Sequence, residues 1–123
     1  MSSATGFIGA RGEEMAVRYL EKKNYRILKR NFSVSGSEVD IIALKGDLLC
    51  FVEVKTRRSA DHGSPLEFVD RRKIRRIIRA ARIFSSRPRH RDRRVRFDII
   101  AVLTDGDRYR IDHLEEAFAE DFY

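Results

Sequence analysis

The stretch from Gly36 to Lys55, GSEVDIIALKGDLLCFVEVK, decides the fold. Two apolar, β-branched runs flank Gly46-Asp47, a hairpin signal. Side chains alternate along a strand. Glu38, Asp40, Ile42 and Leu44 therefore share one face of the first run, and Leu49, Phe51, Glu53 and Lys55 share one face of the second. A two-residue turn at Gly46-Asp47 sets Lys45 opposite Leu48. The same register sets Asp40 opposite Glu53 and Glu38 opposite Lys55. Opposed residues point to the same face with Cβ atoms roughly 4.5–5.5 Å apart. A three-residue loop would send the acids to opposite faces. The hairpin thus gathers three carboxylates and a lysine at its open end.

Around this hairpin the chain reads α-β-β-β-α-β-β. Helical periodicity runs from about Phe7 to Lys23, after six small or polar residues expected to fray, as are residues 119–123. Glu13 falls on the core-facing stripe with Gly9, Ala16 and Leu20, whereas Glu14 falls on the wet face with Arg11, Arg18 and Glu21. A carboxylate on an apolar stripe needs a partner. Asn24 suits the left-handed position that ends the helix. A strand follows at Arg26–Val34, then a Ser/Gly turn, then the two hairpin strands. Residues 57–65 form a polar loop, and Ser64-Pro65 reads as the start of a second helix over about Leu66–Phe84. Its apolar stripe is Val69, Ile74, Ile77, Ile78, Ala81 and Phe84. A strand at Val95–Leu103 and a short strand at Arg108–Ile111 follow, joined at Asp105-Gly106-Asp107. The acidic end from His113 reads as a short helix. These 123 residues suit one domain. The pattern gives an α/β (α+β, mixed-sheet) domain: a three-stranded antiparallel meander, a helical right-handed crossover, and a fourth strand parallel to the third.

The net charge of +7 is local in origin. Residues 71–96 hold 13 of the 26 basic residues and one acid, so this segment carries +12 and the rest −5. Arginine forks suit phosphate oxygens. Arg72, Arg75, Arg76, Arg79 and Arg82 on the helix, with Arg87, Arg89 and Arg91 in the following loop, form the footprint of a polyanion site. Contacts of this kind predict salt-dependent binding with little sequence preference. The bland alternative is a solvated helix face. Cys50, the single cysteine, alternates with apolar residues and reads as a buried thiol rather than a nucleophile. His62, His90 and His113 lack ligand-like spacing and read as surface residues. Asp98 either completes a polar cluster or caps the sheet. The longest apolar runs are five residues, far below a membrane span of about 20, and no signal segment precedes the first helix. A cytoplasmic protein without membrane partners is the expectation.

Two carboxylates beside a lysine, next to a phosphate-binding surface, fit metal-dependent phosphodiester hydrolysis. Asp40 and Glu53 would ligate Mg²⁺ or Mn²⁺, with the Val54 carbonyl as a further ligand. Lys55 would orient or help deprotonate the attacking water, or balance charge on the phosphate oxygens. Glu13 would add a third carboxylate if its helix packs on the sheet. Glu38 is either a further ligand or a partner for Lys55. The competing account is an interstrand salt-bridge set, Glu38–Lys55 with Asp40 near Arg57.

Several motifs carry a resemblance: Gly9-x-x-Gly12-Glu13-x-x-Ala16 with Tyr19-Leu20, Arg30-Asn31-Phe32, Glu38-Val39-Asp40-Ile41-Ile42-Ala43, Phe51-Val52-Glu53-Val54-Lys55-Thr56-Arg57, Lys73, and Arg96-Phe97-Asp98. Together they resemble the PD-(D/E)XK nuclease superfamily, and more closely the YraN family of bacterial proteins, themselves similar to archaeal Holliday junction resolvases. The resemblance implies a restriction-endonuclease-like αβββαβ core with helices on the sheet faces. It implies that Glu13, Asp40, Glu53 and Lys55 occupy catalytic positions, with Lys73 close by; Glu38 and Arg57 are read from their placement as supporting residues. Ser37 stands where such proteins usually carry Gly, and Ser33 and Ser35 stand in a turn that often carries Arg. The implied activity is a Mg²⁺- or Mn²⁺-dependent endonuclease on DNA rather than RNA, with branched or structured DNA as substrate. A junction-cutting enzyme is expected to be a homodimer. The alternative is a nucleic-acid-binding module that keeps the fold without catalysis.

Overall fold

The computed structural model describes residues 2–58 and 63–120, with side chains from Arg11 onward. Residues 59–62 of the polar loop, His62 among them, and the 121–123 end lie outside the described residues. The elements are α1 (Ser2–Lys22), β1 (Arg26–Val34), β2 (Ser37–Lys45), β3 (Leu48–Arg58), α2 (Arg71–Ser85), β4 (Arg94–Asp105) and β5 (Arg108–Phe118), with short 3-10 turns at Pro65–Phe68 and Pro88–His90. The strands form one sheet in the order β1-β2-β3-β4-β5. All neighbours are antiparallel except β3 and β4, which run parallel across the α2 crossover. This is the α+β mixed sheet that the sequence predicts.

The hairpin register is as predicted from the turn as far as Ile41–Val52, but the predicted Asp40–Glu53 and Glu38–Lys55 pairs lie beyond the end of the ladder. Lys45 pairs with Leu48, and the ladder continues to Ile41 opposite Val52. Gly46 takes φ +61 in the turn, a conformation that glycine adopts without steric cost.

Each sheet face carries one helix. On one face Ile74, Ile77, Ile78, Ala81 and Phe84 of α2 pack against Val39, Ile42, Leu49, Phe51, Phe97 and Ile99. On the other, Ala16, Val17 and Leu20 of α1 pack against Ile41, Ala43, Cys50, Val52, Ile100 and Val102. Each fully buried aliphatic side chain contributes about 1.5–3 kcal/mol. Burial pushes the Cys50 thiol pKa up, as an inert core thiol requires.

Three boundaries differ from expectation. Helix α1 reaches back to Ser2 rather than Phe7. No proline interrupts the segment. Second, the helix expected from Leu66 is divided. Ser64-Pro65 opens only a 3-10 turn, Val69 is extended, and α2 starts after Asp70, whose carboxylate accepts from the Lys73 N–H at 2.9 Å. Third, the acidic end is strand rather than helix: β5 continues to Phe118, with a bulge opposite Phe97/Ile99 and Glu116 at φ +53. Phe118 stacks on Phe97 with ring centroids 5.2 Å apart. Burying that ring outweighs helix propensities that differ by at most about 0.7 kcal/mol per residue.

Of two histidines expected at the surface, His90 is buried and His113 has its side chain turned inward, 4% exposed. His90 stacks on Phe84 at 4.9 Å. His113 alternates with Tyr109 and Ile111 along β5 and turns inward to Asp98.

Candidate functional site

Helix α1, β2, β3 and the start of α2 converge where the β2–β3 ladder stops. One pair beyond Ile41–Val52, the Val54 N–H donates to the Asp40 carboxylate at 2.8 Å. Asp40 is 8% exposed and Glu53 2% exposed. Lys55 Nζ lies 3.4 Å from Glu53 Oε2, and Lys73 Nζ lies 3.9 Å from the same oxygen. The other oxygen, Glu53 Oε1, is buried without a hydrogen-bond partner among the described residues. An orphaned buried carboxylate oxygen costs roughly 1–3 kcal/mol or more unless something binds it.

Burial, then repulsion from Asp40, raises the Glu53 pKa to about 8, against the pull of Lys73 and Lys55. Two carboxylates that crowd each other in a desolvated place favour a proton or a cation between them. Lys73 owes its position to Asp70, whose carboxylate pKa is lowered by the Lys73 and Arg72 N–H groups at the start of α2.

Glu13 approaches from the opposite sheet face. Burial and the Asp40 charge raise its pKa, while Arg30 and Asn31 lower it. The strand geometry allows this approach. Val39 joins the α2-side core and Ile41 the α1-side core, so the alternation of side chains breaks at Asp40. In β1 the neighbouring pairs are Arg30–Ile41 and Phe32–Val39, and Asn31 between them takes φ +53. Asparagine tolerates that left-handed conformation better than most residues. The irregular spot places Asp40 within the electrostatic reach of groups on both faces. Gly12 brings α1 close: a Cβ there would lie 2.1 Å from Thr56 Oγ1. Glu14 behaves as its phase predicts, pairing instead with Arg30 at 2.9 Å and Arg18 at 3.6 Å.

Other predicted residues fall elsewhere. Glu38 is exposed and accepts from Ser33 Oγ at 3.3 Å, while Lys55 turns to Glu53. Arg57 lies over the Phe68 ring at 5.2 Å. The interstrand set of Glu38–Lys55 with Asp40–Arg57 is therefore not formed. Arg72, Arg75, Arg76, Arg79, Arg89 and Arg91 are exposed. Arg82 pairs with Glu120 at 3.7 Å, and Arg87 stacks over Phe84 and Phe32, pinning the basic loop to the core.

Sequence reading did not assemble the buried cluster behind the site. Arg96 bonds both Asp98 oxygens at 2.8 and 2.7 Å and Tyr25 Oη at 2.6 Å, His113 Nε2 lies 2.6 Å from Asp98, and His113 Nδ1 lies 3.0 Å from Tyr19 Oη. Burial opposes ionisation of Asp98, but His113 and Arg96 hold its pKa at about 2. The cluster ties α1 to β4 and β5, so Asp98 completes a polar cluster. The period-two run Tyr109, Ile111, His113 was the available signal.

Among the described residues, no three His, Cys, Asp or Glu side chains gather closely enough to hold a metal by themselves. Mg²⁺ does not require such a cage, since it uses one or two carboxylates with water and substrate phosphates. The Asp40–Glu53 pair, with its orphaned Oε1, fits that donor set.

Among the described residues, no helix is long and apolar enough to cross a membrane. Residues 12–102 match the model of a family described as "Uncharacterised protein family UPF0102". A UPF0102 protein of Flavobacterium johnsoniae is 44% identical over 114 residues, covering 90% of this chain and 93% of the relative. One from Geobacter metallireducens is 42% identical over 118 residues, covering 96% and 97%. A third, from Dictyoglomus thermophilum, is 47% identical over 96 residues, covering 78% and 81%.

Proposed function

The chain belongs to the UPF0102 family, and from that premise we propose that it is a Mg²⁺- or Mn²⁺-dependent endonuclease that hydrolyses DNA phosphodiester bonds. The observation that carries this reading is the buried Asp40–Glu53 pair with one orphaned carboxylate oxygen and two lysines at the other. The exposed arginines of α2 support a phosphate-bearing substrate.

Asp40 and Glu53 would hold the cation, with the Val54 carbonyl and water completing its shell. Bound there, the ion would supply Lewis-acid polarisation of the scissile phosphate and a lowered pKa for attacking water. Glu53 would hold the cation as its carboxylate, the ion's charge offsetting the burial that raises its pKa. Lys55 orients the attacking water and balances charge on the phosphate oxygens. Lys73 adds a second cation beside Glu53, and its main chain is fixed by the Asp70 cap. Glu13 raises the negative potential around Asp40 from the far face. Arg72, Arg76 and Arg79 hold the strand backbone without reading bases.

The test is purified protein with Mg²⁺ or Mn²⁺ on duplex, single-stranded and four-way-junction DNA, with RNA as competitor. Cleavage is expected in wild type and lost in Asp40→Asn and Lys55→Ala. Undiminished cleavage in both variants removes the site assignment. Salt-sensitive binding without cleavage in any metal leaves the non-catalytic module as the function.

A further inference from the structure

Between α1 and the closed end of the β4–β5 hairpin lies a cavity of about 340 Å³, within the roughly 300–1,000 Å³ of ligand pockets. Its buried floor includes Gly12 and Val102, next to Met15. The Thr56 and Thr104 side chains line its walls, and Arg11, Arg108 and Tyr109 stand at its exposed rim. Tyr109 pairs with Thr104 across the hairpin and is 54% exposed. The cavity adjoins the candidate site on two elements: Gly12 precedes Glu13, and Thr56 follows Lys55.

We propose that this cavity receives an unpaired nucleobase of a DNA strand, stacked on Tyr109, with the flanking phosphates held by Arg11 and Arg108. The proposal rests on the phosphodiester reading above and names its substrate class, DNA carrying unpaired nucleotides beside a duplex. Three chemistries meet here. An exposed aromatic face stacks on any base. Threonine hydroxyl oxygens accept from base-edge N–H groups, and Thr104 does so while its own proton goes to the Arg57 carbonyl at 3.4 Å. Guanidinium forks match phosphate oxygens. A base inside a continuous duplex is stacked and paired and would have to be extruded to enter, at an energetic cost that an unpaired base avoids.

The test reads binding by the whole chain in EDTA, where nothing is cut. One duplex carries a single unpaired 2-aminopurine, and the control is a fully paired duplex of equal length. The unpaired DNA is expected to bind about tenfold tighter, with its 2-aminopurine fluorescence quenched by stacking. Tyr109→Ala should remove about tenfold of that preference, and Tyr109→Phe, which keeps the ring, should restore it. Equal binding of the two DNAs by wild type, or a preference unchanged in Tyr109→Ala, overturns the pocket alone. Failure to bind any DNA overturns both the pocket and the reading it rests on. A preference that appears without any cleavage in Mg²⁺ supports the pocket and removes the nuclease.

Discussion

The main-chain N–H of Val54 donates to the carboxylate of Asp40 at 2.8 Å, one step beyond the last β2–β3 pair. A side chain stands where a strand carbonyl would otherwise accept. Asp40 therefore has two duties, closing the ladder and presenting charge, and substitutions should separate them. Asp40→Asn keeps an acceptor for Val54 and should fold with a melting temperature near wild type, while cleavage falls about a hundredfold or more. Asp40→Leu leaves the N–H unpaired and should cost about 1–3 kcal/mol in addition. Urea titration beside a cleavage assay distinguishes them. Equal stability of the two variants would show that the hydrogen bond contributes nothing.

Glu53 makes a prediction about pH. Its folded pKa of about 8 exceeds its ordinary value of 4.5. In metal-free protein the native state then binds more protons than the unfolded state between these values. The contribution of Glu53 is complete below about pH 4.5 and is lost as pH rises through about 8. The difference in unfolding free energy between wild type and Glu53→Gln should shift against wild type across that window and flatten above it. Addition of Mg²⁺ should raise wild-type stability more at pH 8.5 than at pH 5.5, and should do little for Glu53→Gln. A pH-independent difference between the two proteins would contradict the raised pKa of the buried carboxyl.

Gly12 makes a prediction about helix placement. Its added Cβ would meet Thr56 Oγ1 at 2.1 Å, but the next Thr56 atom only at 3.4 Å. Gly12→Ala should therefore cost about 1–3 kcal/mol through overpacking. The double variant Gly12→Ala/Thr56→Ala removes the clash and keeps alanine's helix advantage of about 1 kcal/mol. It should be at least as stable as Thr56→Ala alone. Additive losses in a double-mutant cycle would show that Gly12 is required for some other reason.

The sequence pattern revealed the hairpin because its information is local: a Gly-Asp turn, two alternating runs, and a register that follows from the turn length. The phase of α1 separated Glu13 from Glu14 for the same reason. What it could not supply depends on contacts distant in sequence. Phe118 becomes strand because Phe97 is there to stack on, and the His113 side chain turns inward because the buried Asp98 carboxylate needs a partner. The pairing of Glu38 with Lys55 failed because the ladder stops at Ile41–Val52 and the alternation breaks at Asp40. The Asp70 cap was legible as an aspartate three residues before Lys73. The more conspicuous Ser64-Pro65 signal concealed it.

The arginines of α2 make a prediction about salt. Arg72, Arg76 and Arg79 are exposed on the helix whose apolar face is locked into the core, so replacing them should leave the fold intact. If they contact strand phosphates, each Arg→Gln change should lower the slope of log affinity against log salt by about 0.9 on duplex DNA, nearly independently of sequence. Arg87 should behave differently. Its guanidinium lies 4.6 Å from the Phe84 ring centroid and 5.5 Å from that of Phe32, so Arg87→Gln should loosen the basic loop and lower stability by about 0.5–1 kcal/mol. Binding isotherms at four salt concentrations, with thermal melts of the same variants, separate a phosphate contact from a packing contact. Salt slopes unchanged in all three helix variants would make the basic face of α2 a solvated surface.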